Sequence, residues 1–174
     1  MPANRFTTDP TRETLYVDWP LFGELSRALA LKVSHAFEPE VVVGVATAGV
    51  VPGAVVAAML DLPFFSIIVS RRYQAKTVRE TPAVLSGAPA EVIGRRVLLV
   101  DQTCNEGDTM RLAVAAIVNA GASEVRTAVS FRTGSYKPDF HALETESNIV
   151  LPWDHESIVE GELRANPKYG PYID

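Results

Sequence analysis

The stretch RVLLVDQTCNEGDTMRLAVAAIVNA, residues 96–120, decides the fold. It opens with an apolar run, Val97–Val100, which ends at the acid Asp101. A short polar loop carrying Gly107 and Thr109 follows, and then a pattern rich in alanine and branched aliphatics. The spacing predicts a buried strand over 97–101, a loop over 102–108 and a helix from about 109 to 120, with Gly121 placed as its C-cap. In an open α/β sheet such a loop lies at the carboxyl edge, where ligands bind.

The same grammar repeats on both sides of this stretch. Asp18 is placed to cap a helix whose first turn holds Pro20 and which runs to about His35, with Leu21, Phe22, Leu25, Leu29 and Val33 on its buried side. Glu38-Pro39-Glu40 makes a turn into a strand, Val41–Ala46. Thr47-Ala48-Gly49 is a tight loop, a helix spans Val50–Leu60, and Asp61 and Pro63 end it before a strand at Phe64–Val69. Beyond the central stretch, Val125–Phe131 reads as a strand, 132–140 as a loop and Asn148–Leu151 as a last short strand, with Pro152-Trp153-Asp154 leading into a final helical turn. Asp154 and Glu156 are read as caps of that turn, and residues 1–14 as an arm or surface strand.

Residues 70–90 differ in character. Arg71, Arg72, Lys76 and Arg79 fall close together around Tyr73, and Pro82, Gly87 and Pro89 follow. This connection is too long and polar for an ordinary crossover, and it is read as a flap whose basic residues face an anionic ligand. Strands alternating with helices imply one α/β domain over residues 1–174, with a mostly parallel open sheet and helices on both faces.

Composition narrows the function classes. The 174 residues are 47% hydrophobic and 21% charged, which is globular composition. A net charge of -5 argues against a nucleic-acid partner, which needs a basic face. The single cysteine, Cys104, forms no internal disulfide and fits a reducing, cytoplasmic setting. The polar, threonine-rich first 14 residues show no secretory pattern. Val41–Leu60 carries no charge over 20 residues, long enough to cross a membrane. Gly44, Gly49, Gly53 and Pro52 interrupt it, so it reads as strand, loop and buried helix, with no membrane partner. His35, His141 and His155 lack metal-ligand spacing, and no histidine stands near Cys104 in sequence to activate it as a nucleophile.

Three loops, 47–49, 102–109 and 132–140, should gather at one edge of the sheet beneath the flap. Backbone N–H groups at 105–109 open a helix and suit a phosphate, Gly107 permits close approach and the Thr109 hydroxyl can donate. Asp101 suits a ribose hydroxyl or a hydrated Mg2+ ion, or else pairs with a nearby basic residue.

On these residues the chain resembles the type I phosphoribosyltransferases. VLLVDQTCNEGDTM is similar to that family's signature of aliphatics, two acids, two variable residues, Asp or Thr, then Thr-Gly-x-Thr. VATAGVVPG at 45–53 resembles the pyrophosphate loop, YKPDF at 136–140 the segment by which 6-oxopurine members place a lysine, and LPWD at 151–154 the end of the base pocket in bacterial xanthine-guanine members. The resemblance implies transfer of the phosphoribosyl group of 5-phosphoribosyl pyrophosphate to a purine base, with Mg2+, in a homodimer. Asn105, Glu106, Gly107, Asp108 and Thr109 would hold the 5′-phosphate, and Thr47, Ala48 and Gly49 the pyrophosphate. Asp101 and Asn105 would occupy the catalytic positions, Asp101 also that of the metal. Lys137 would meet the exocyclic oxygen of the base, the carbonyl of Ile149 its edge, and Trp153 would stand in the pocket wall or the core. Arg71, Arg72, Tyr73 and Lys76 would close over the site. The chain departs from the pattern at Gln102 (an acid in the family), Asn105 (the general-base Asp), Glu106 (Thr), Thr47 (often basic) and Asn148 (the stacking aromatic). Three readings follow: a working transferase, a nucleotide-binding or regulatory protein on the same fold, and altered chemistry using Glu106 or Asp108.

Overall fold

The structure is a computed structural model that describes residues 11–70, 72–73, 76–77, 83–166 and 169, with the backbone alone at 70, 72–73 and 76–77. Its elements in chain order are β1 (Thr14–Tyr16), α1 (Trp19–Ala36), β2 (Val41–Ala46), α2 (Val50–Leu60), β3 (Phe64–Ser70), β4 (Arg72–Tyr73), β5 (Lys76–Thr77), β6 (Ala83–Val84), β7 (Arg96–Cys104), α3 (Asp108–Asn119), β8 (Glu124–Arg132), β9 (Phe140–Glu144), β10 (Asn148–Val150), β11 (Glu156–Val159) and β12 (Glu162–Ala165).

Six strands form the central sheet in the order β6-β3-β2-β7-β8-β9. All its pairings are parallel except that of β3 with β6, which adds a short antiparallel edge. Alternation along the strands divides the core. Val42, Leu98, Val100 and Ala128 face Leu29, Val33 and Val56 of α1 and α2. Val41, Val43, Val97, Leu99 and Val129 face Met110, Ala113 and Ile117 of α3. Strands buried on both faces read as unbroken aliphatic runs, which is why this sheet is visible in the sequence.

The run 41–60 folds as β2 and α2, and α2 packs against both the sheet and α1, so it is apolar on every side. Among the described residues no helix is long and apolar enough to cross a membrane. In α1 the Asp18 carboxylate accepts from the N–H of Leu21 at 2.8 Å, as its position predicts. The buried stripe is Phe22, Ser26, Leu29, Ala30 and Val33. Leu25, half-buried, packs against the cluster around Phe22 as expected, whereas Leu21, 37% exposed, is a correction, because it lies one residue off that stripe.

Other boundaries also differ. β7 continues through Gln102, Thr103 and Cys104, which shortens the loop to 105–107. The end of the expected 132–140 loop is β9, an edge strand whose His, Ala and Glu are weak strand formers. The expected helical turn is a single 3-10 turn at Pro152–Asp154, and residues 156–165 then form an unexpected hairpin, with Glu160 and Gly161 at φ of 53° and 84° in its turn. Glu156 therefore lies in a strand, while the Asp154 carboxylate does accept from the N–H of Leu151 at 3.3 Å. Within the flap, β4 pairs with β5 and β6 pairs with β3, while residues 1–10, Arg71 and Arg79 lie outside the described residues.

The strand order places the site. From β2 the chain moves outward to β3, whereas β7, β8 and β9 proceed the other way. The loops leaving β2 and β7 thus diverge at a switch point, where a crevice opens beyond the strand ends.

Candidate active site

The loop after β2 is seated directly on β7. A Cβ at Gly49 would overlap the carbonyl of Val100 and lie 2.8 Å from the Val45 oxygen and 2.9 Å from Cα of Asp101. Only glycine lets the two chains approach this closely, and the approach brings loop 47–49 against the acid that ends the apolar run. The peptide bond between Ala46 and Thr47 is cis. Gly49 donates its N–H to Val45 at 2.8 Å. The expectation that Gly49 offers this donor to pyrophosphate therefore does not hold, because the turn itself consumes it. Thr47 is exposed and Ala48 half-buried at the mouth of the loop.

Asp101 is half-buried, and its Oδ1 accepts from the N–H of Gln102 at 2.7 Å. Gln102 is buried, 4% exposed, so the position that carries a second acid in the family lies inside the protein here. Among the described residues no group of three or more His, Cys, Asp or Glu side chains could hold a metal. Mg2+ requires no such cage, since it binds through one or two carboxylates together with substrate phosphates. Asp101 fits that role. Burial pushes the Cys104 thiol up to about 12, and the charge of Asp101 adds to the shift, which disfavours the thiolate that nucleophilic chemistry needs.

Gly107 caps α3 with φ of 86°, a left-handed conformation that suits glycine. A Cβ there would overlap the ring of Tyr136. Asn105 and Glu106 are exposed, Gly107 is buried, and Thr109 is half-buried in the first turn. The first N–H groups of α3 have no partner within the helix.

Arg111, which the sequence reading passes over, changes the electrostatics of this loop. Its Nη1 donates to the carbonyl of Glu106 at 2.7 Å and lies 3.5 Å from Oδ1 of Asp108. Its guanidinium sits 5.1 Å from the ring centroid of Tyr136. Asp108, one of the two acids that oppose a phosphate, is thus paired with a cation, while at Glu106 the same cation holds the backbone carbonyl. A signal was available: a basic residue in the first turn opposes the helix dipole and so needs another reason to be there.

The loop 133–139 docks onto the same place. Tyr136 donates its N–H to the carbonyl of Asn105 at 2.9 Å, and Arg132 Nε donates to the carbonyl of Tyr136 at 2.9 Å. Gly134 packs against the carboxamide of Asn105. Arg132, whose side chain is 17% exposed, also pairs with Glu144 at 2.8 Å. At the far end of the loop, Asp139 Oδ2 accepts from the N–H and hydroxyl of Thr127 at 2.7 and 2.8 Å. The KPDF segment therefore divides its labour: Pro138 is buried, Asp139 holds the loop to β8, and Lys137 is exposed. Burial raises the phenol of Tyr136, and a hydrogen bond with Thr127 opposes that shift.

Ile149 lies in β10, which pairs with β1 through the backbone groups of Asn148 and Val150, so the carbonyl of Ile149 is directed to the opposite edge. Trp153 packs edge-on to Phe22 at 5.2 Å and tilted to Trp19 at 5.7 Å. Both Ile149 and Trp153 join one apolar cluster with Phe131 at the end of β8. Of the flap residues, Arg72, Tyr73 and Lys76 are described by backbone pairing alone. A cavity of about 340 Å³ opens beside Gly134, lined by Arg132, Thr133, Glu144, Thr145 and Glu146.

Known proteins share this fold. The family model for the phosphoribosyl transferase domain matches residues 14–163. An orotate phosphoribosyltransferase of Staphylococcus aureus is 31% identical over 130 residues, 72% of this chain, and the chain spans 59% of that relative's length. A purine phosphoribosyltransferase of Pyrococcus horikoshii superposes with a TM-score of 0.71 at 27% identity, covering 85% of this chain and 99% of that one. A xanthine-guanine-hypoxanthine phosphoribosyltransferase of Helicobacter pylori, 17% identical, shares the fold at a TM-score of 0.71 over 81% of this chain and 94% of its own. With a strand, loop and helix where the family signature falls and a family match over most of its length, the chain belongs to the type I phosphoribosyltransferase family.

Proposed function

We propose that this protein transfers the 5-phosphoribosyl group of 5-phosphoribosyl pyrophosphate to a 6-oxopurine base, giving a nucleoside monophosphate and pyrophosphate. The observation that carries this reading is the docking of the Lys137 loop onto the 105–107 loop through Tyr136 and Gly134. It ties the segment that carries Lys137, a cation suited to a purine carbonyl, to the loop before a helix start suited to a phosphate. The Pyrococcus horikoshii relative, matched over 99% of its length, supports a purine over orotate.

In this reading the N–H groups of 105–109 hold the 5′-phosphate, and Arg111 offsets Asp108 beside it. Asp101 holds the ribose hydroxyls and, with the ligand's phosphates, Mg2+, which supplies charge neutralisation for the departing pyrophosphate. Thr47 and Ala48 flank that pyrophosphate. Lys137 donates to the exocyclic oxygen of the base, the Ile149 carbonyl accepts from its edge, and Trp153 backs the pocket through Phe22. The flap residues Arg71, Arg72, Tyr73 and Lys76 close over the anion. Asn105 can hydrogen-bond the base but cannot take its proton, so the step lacks a general-base contribution of about 10²–10⁴-fold. The protein works as a homodimer in the cytoplasm.

A second reading, a protein that binds nucleotides without turnover, is favoured by Asn105 itself, whose side chain packs against Gly134. Calorimetry tests what both readings share. GMP and IMP should bind more tightly than orotidine 5′-monophosphate, and guanosine should bind at least ten-fold more weakly than GMP. Glu106→Thr should strengthen GMP binding about ten-fold, because it removes a carboxylate that costs a nearby phosphate about 1–4 kcal/mol between water and a surface dielectric near 20. Equal affinity for guanosine and GMP would exclude a phosphate at this loop.

A further inference from the structure

Tyr136 is held from four directions, three of them by residues of the candidate phosphate loop and its helix and one by Arg132. Its N–H is bonded to Asn105 and its carbonyl to Arg132, both at 2.9 Å. Its ring lies on Gly107, where no Cβ fits, and the guanidinium of Arg111 covers the ring at 5.1 Å. The same guanidinium grips the carbonyl of Glu106 at 2.7 Å. The next residue in the chain is Lys137, and two residues further Asp139 is bonded to Thr127 inside β8. The segment carrying Lys137 is thus tied at one end to the sheet and at the other to the loop that opens α3. Any rearrangement of 105–108 reaches Lys137 through a single residue.

We propose that Arg111 and Tyr136 form a latch that couples occupancy of the 105–109 loop to the placement of Lys137, so that a phosphoribosyl ligand and a base bind with positive cooperativity. Arg111 and Tyr136 are positioning residues in this scheme, acting through the loop and through Lys137. The identity of the two ligands rests on the function proposed above; the latch itself rests on the contacts. Coupling is reciprocal, so each ligand strengthens the other by the same factor, typically about 5–150-fold.

The test uses hypoxanthine and ribose 5-phosphate on the full chain. Affinity for hypoxanthine should rise at least about five-fold when ribose 5-phosphate is saturating. Arg111→Met and Tyr136→Leu should bring that ratio close to one, while Tyr136→Phe, which keeps the ring, should preserve it. A residue that merely supports the fold would weaken both ligands and leave the ratio unchanged, and that result overturns the proposal. Amide hydrogen exchange gives a readout independent of the ligands. Arg111→Met should speed exchange at Tyr136 together with Asn105–Gly107, and unchanged protection at Tyr136 would show that there is no latch. If wild-type protein binds neither compound, the proposed function fails, and with it the cooperativity; exchange at Tyr136 then decides whether the contacts act as one unit.

Discussion

Gly49→Ala is expected to lower the melting temperature by about 6–12 °C and to remove activity from whatever protein still folds. The added methyl would meet backbone atoms on every side: the carbonyls of Val100 and Val45 and Cα of Asp101. None of these is the end of a flexible side chain, so β2 and β7 must separate or the 47–49 loop must lift. Overpacking of this kind costs about 3 kcal/mol. In a domain of this size each kcal/mol corresponds to about 2–4 °C. The functional consequence is larger than the loss of stability, because the displaced loop carries Ala48 away from Asp101. A thermal melt followed by circular dichroism checks the first part. A melting temperature within about 1 °C of the wild type would mean that the loop does not sit on β7 as described.

Asp101→Asn is expected to cut kcat/KM for 5-phosphoribosyl pyrophosphate by about 10–150-fold while leaving the fold intact. The carboxylate is half-buried at the carboxyl end of β7, beside the loop that leaves β2. A hydrogen bond to a charged group contributes about 1.5–3 kcal/mol, which sets that range. Asparagine keeps an oxygen that can still accept from the N–H of Gln102, so the local backbone should persist. The loss should grow when Mg2+ is limiting, since Asp101 is the carboxylate proposed to hold the metal. Steady-state kinetics at two Mg2+ concentrations separate the two contributions. Unchanged kcat/KM at both would remove Asp101 from the site.

The main architecture was legible in the sequence because its causes are local and periodic. β2 and α2 fall at Val41–Ala46 and Val50–Leu60, where the aliphatic run and the glycine-rich break predict them. Asp18 and Pro20 announce α1 by capping chemistry alone. β9 escaped notice because Phe140–Glu144 combines an edge position with weak strand formers. The 156–165 hairpin escaped because its turn places Glu160, not Asn or Asp, in the left-handed region.

The site was legible only in part, for a different reason. Asp101, Gly107 and Lys137 stand out by motif, yet the contacts that relate them span long stretches of chain. Nothing near Gly107 in sequence predicts the ring of Tyr136 above it, and nothing near Gly49 predicts the carbonyl of Val100 beneath it. Asp108 read by itself is a charge hostile to phosphate; with Arg111 at 3.5 Å it is one half of a pair. At Glu106 it is the backbone carbonyl, and not the carboxylate, that Arg111 holds, so the charge at that position persists. The departures at Gln102, Asn105, Glu106, Thr47 and Asn148 still separate this chain from the family pattern, and under the proposed function Asn105 is the one that slows the chemical step.

Formation of nucleoside monophosphate from 5-phosphoribosyl pyrophosphate tests the central claim most directly. The assay combines the protein, Mg2+ and, in separate reactions, hypoxanthine, guanine, xanthine, adenine and orotate, with chromatography of the nucleotide and measurement of released pyrophosphate. The account predicts slow turnover with at least one 6-oxopurine, one pyrophosphate released per nucleotide formed, and none with orotate. Nucleotide from orotate alone, or from no base at all, would contradict it.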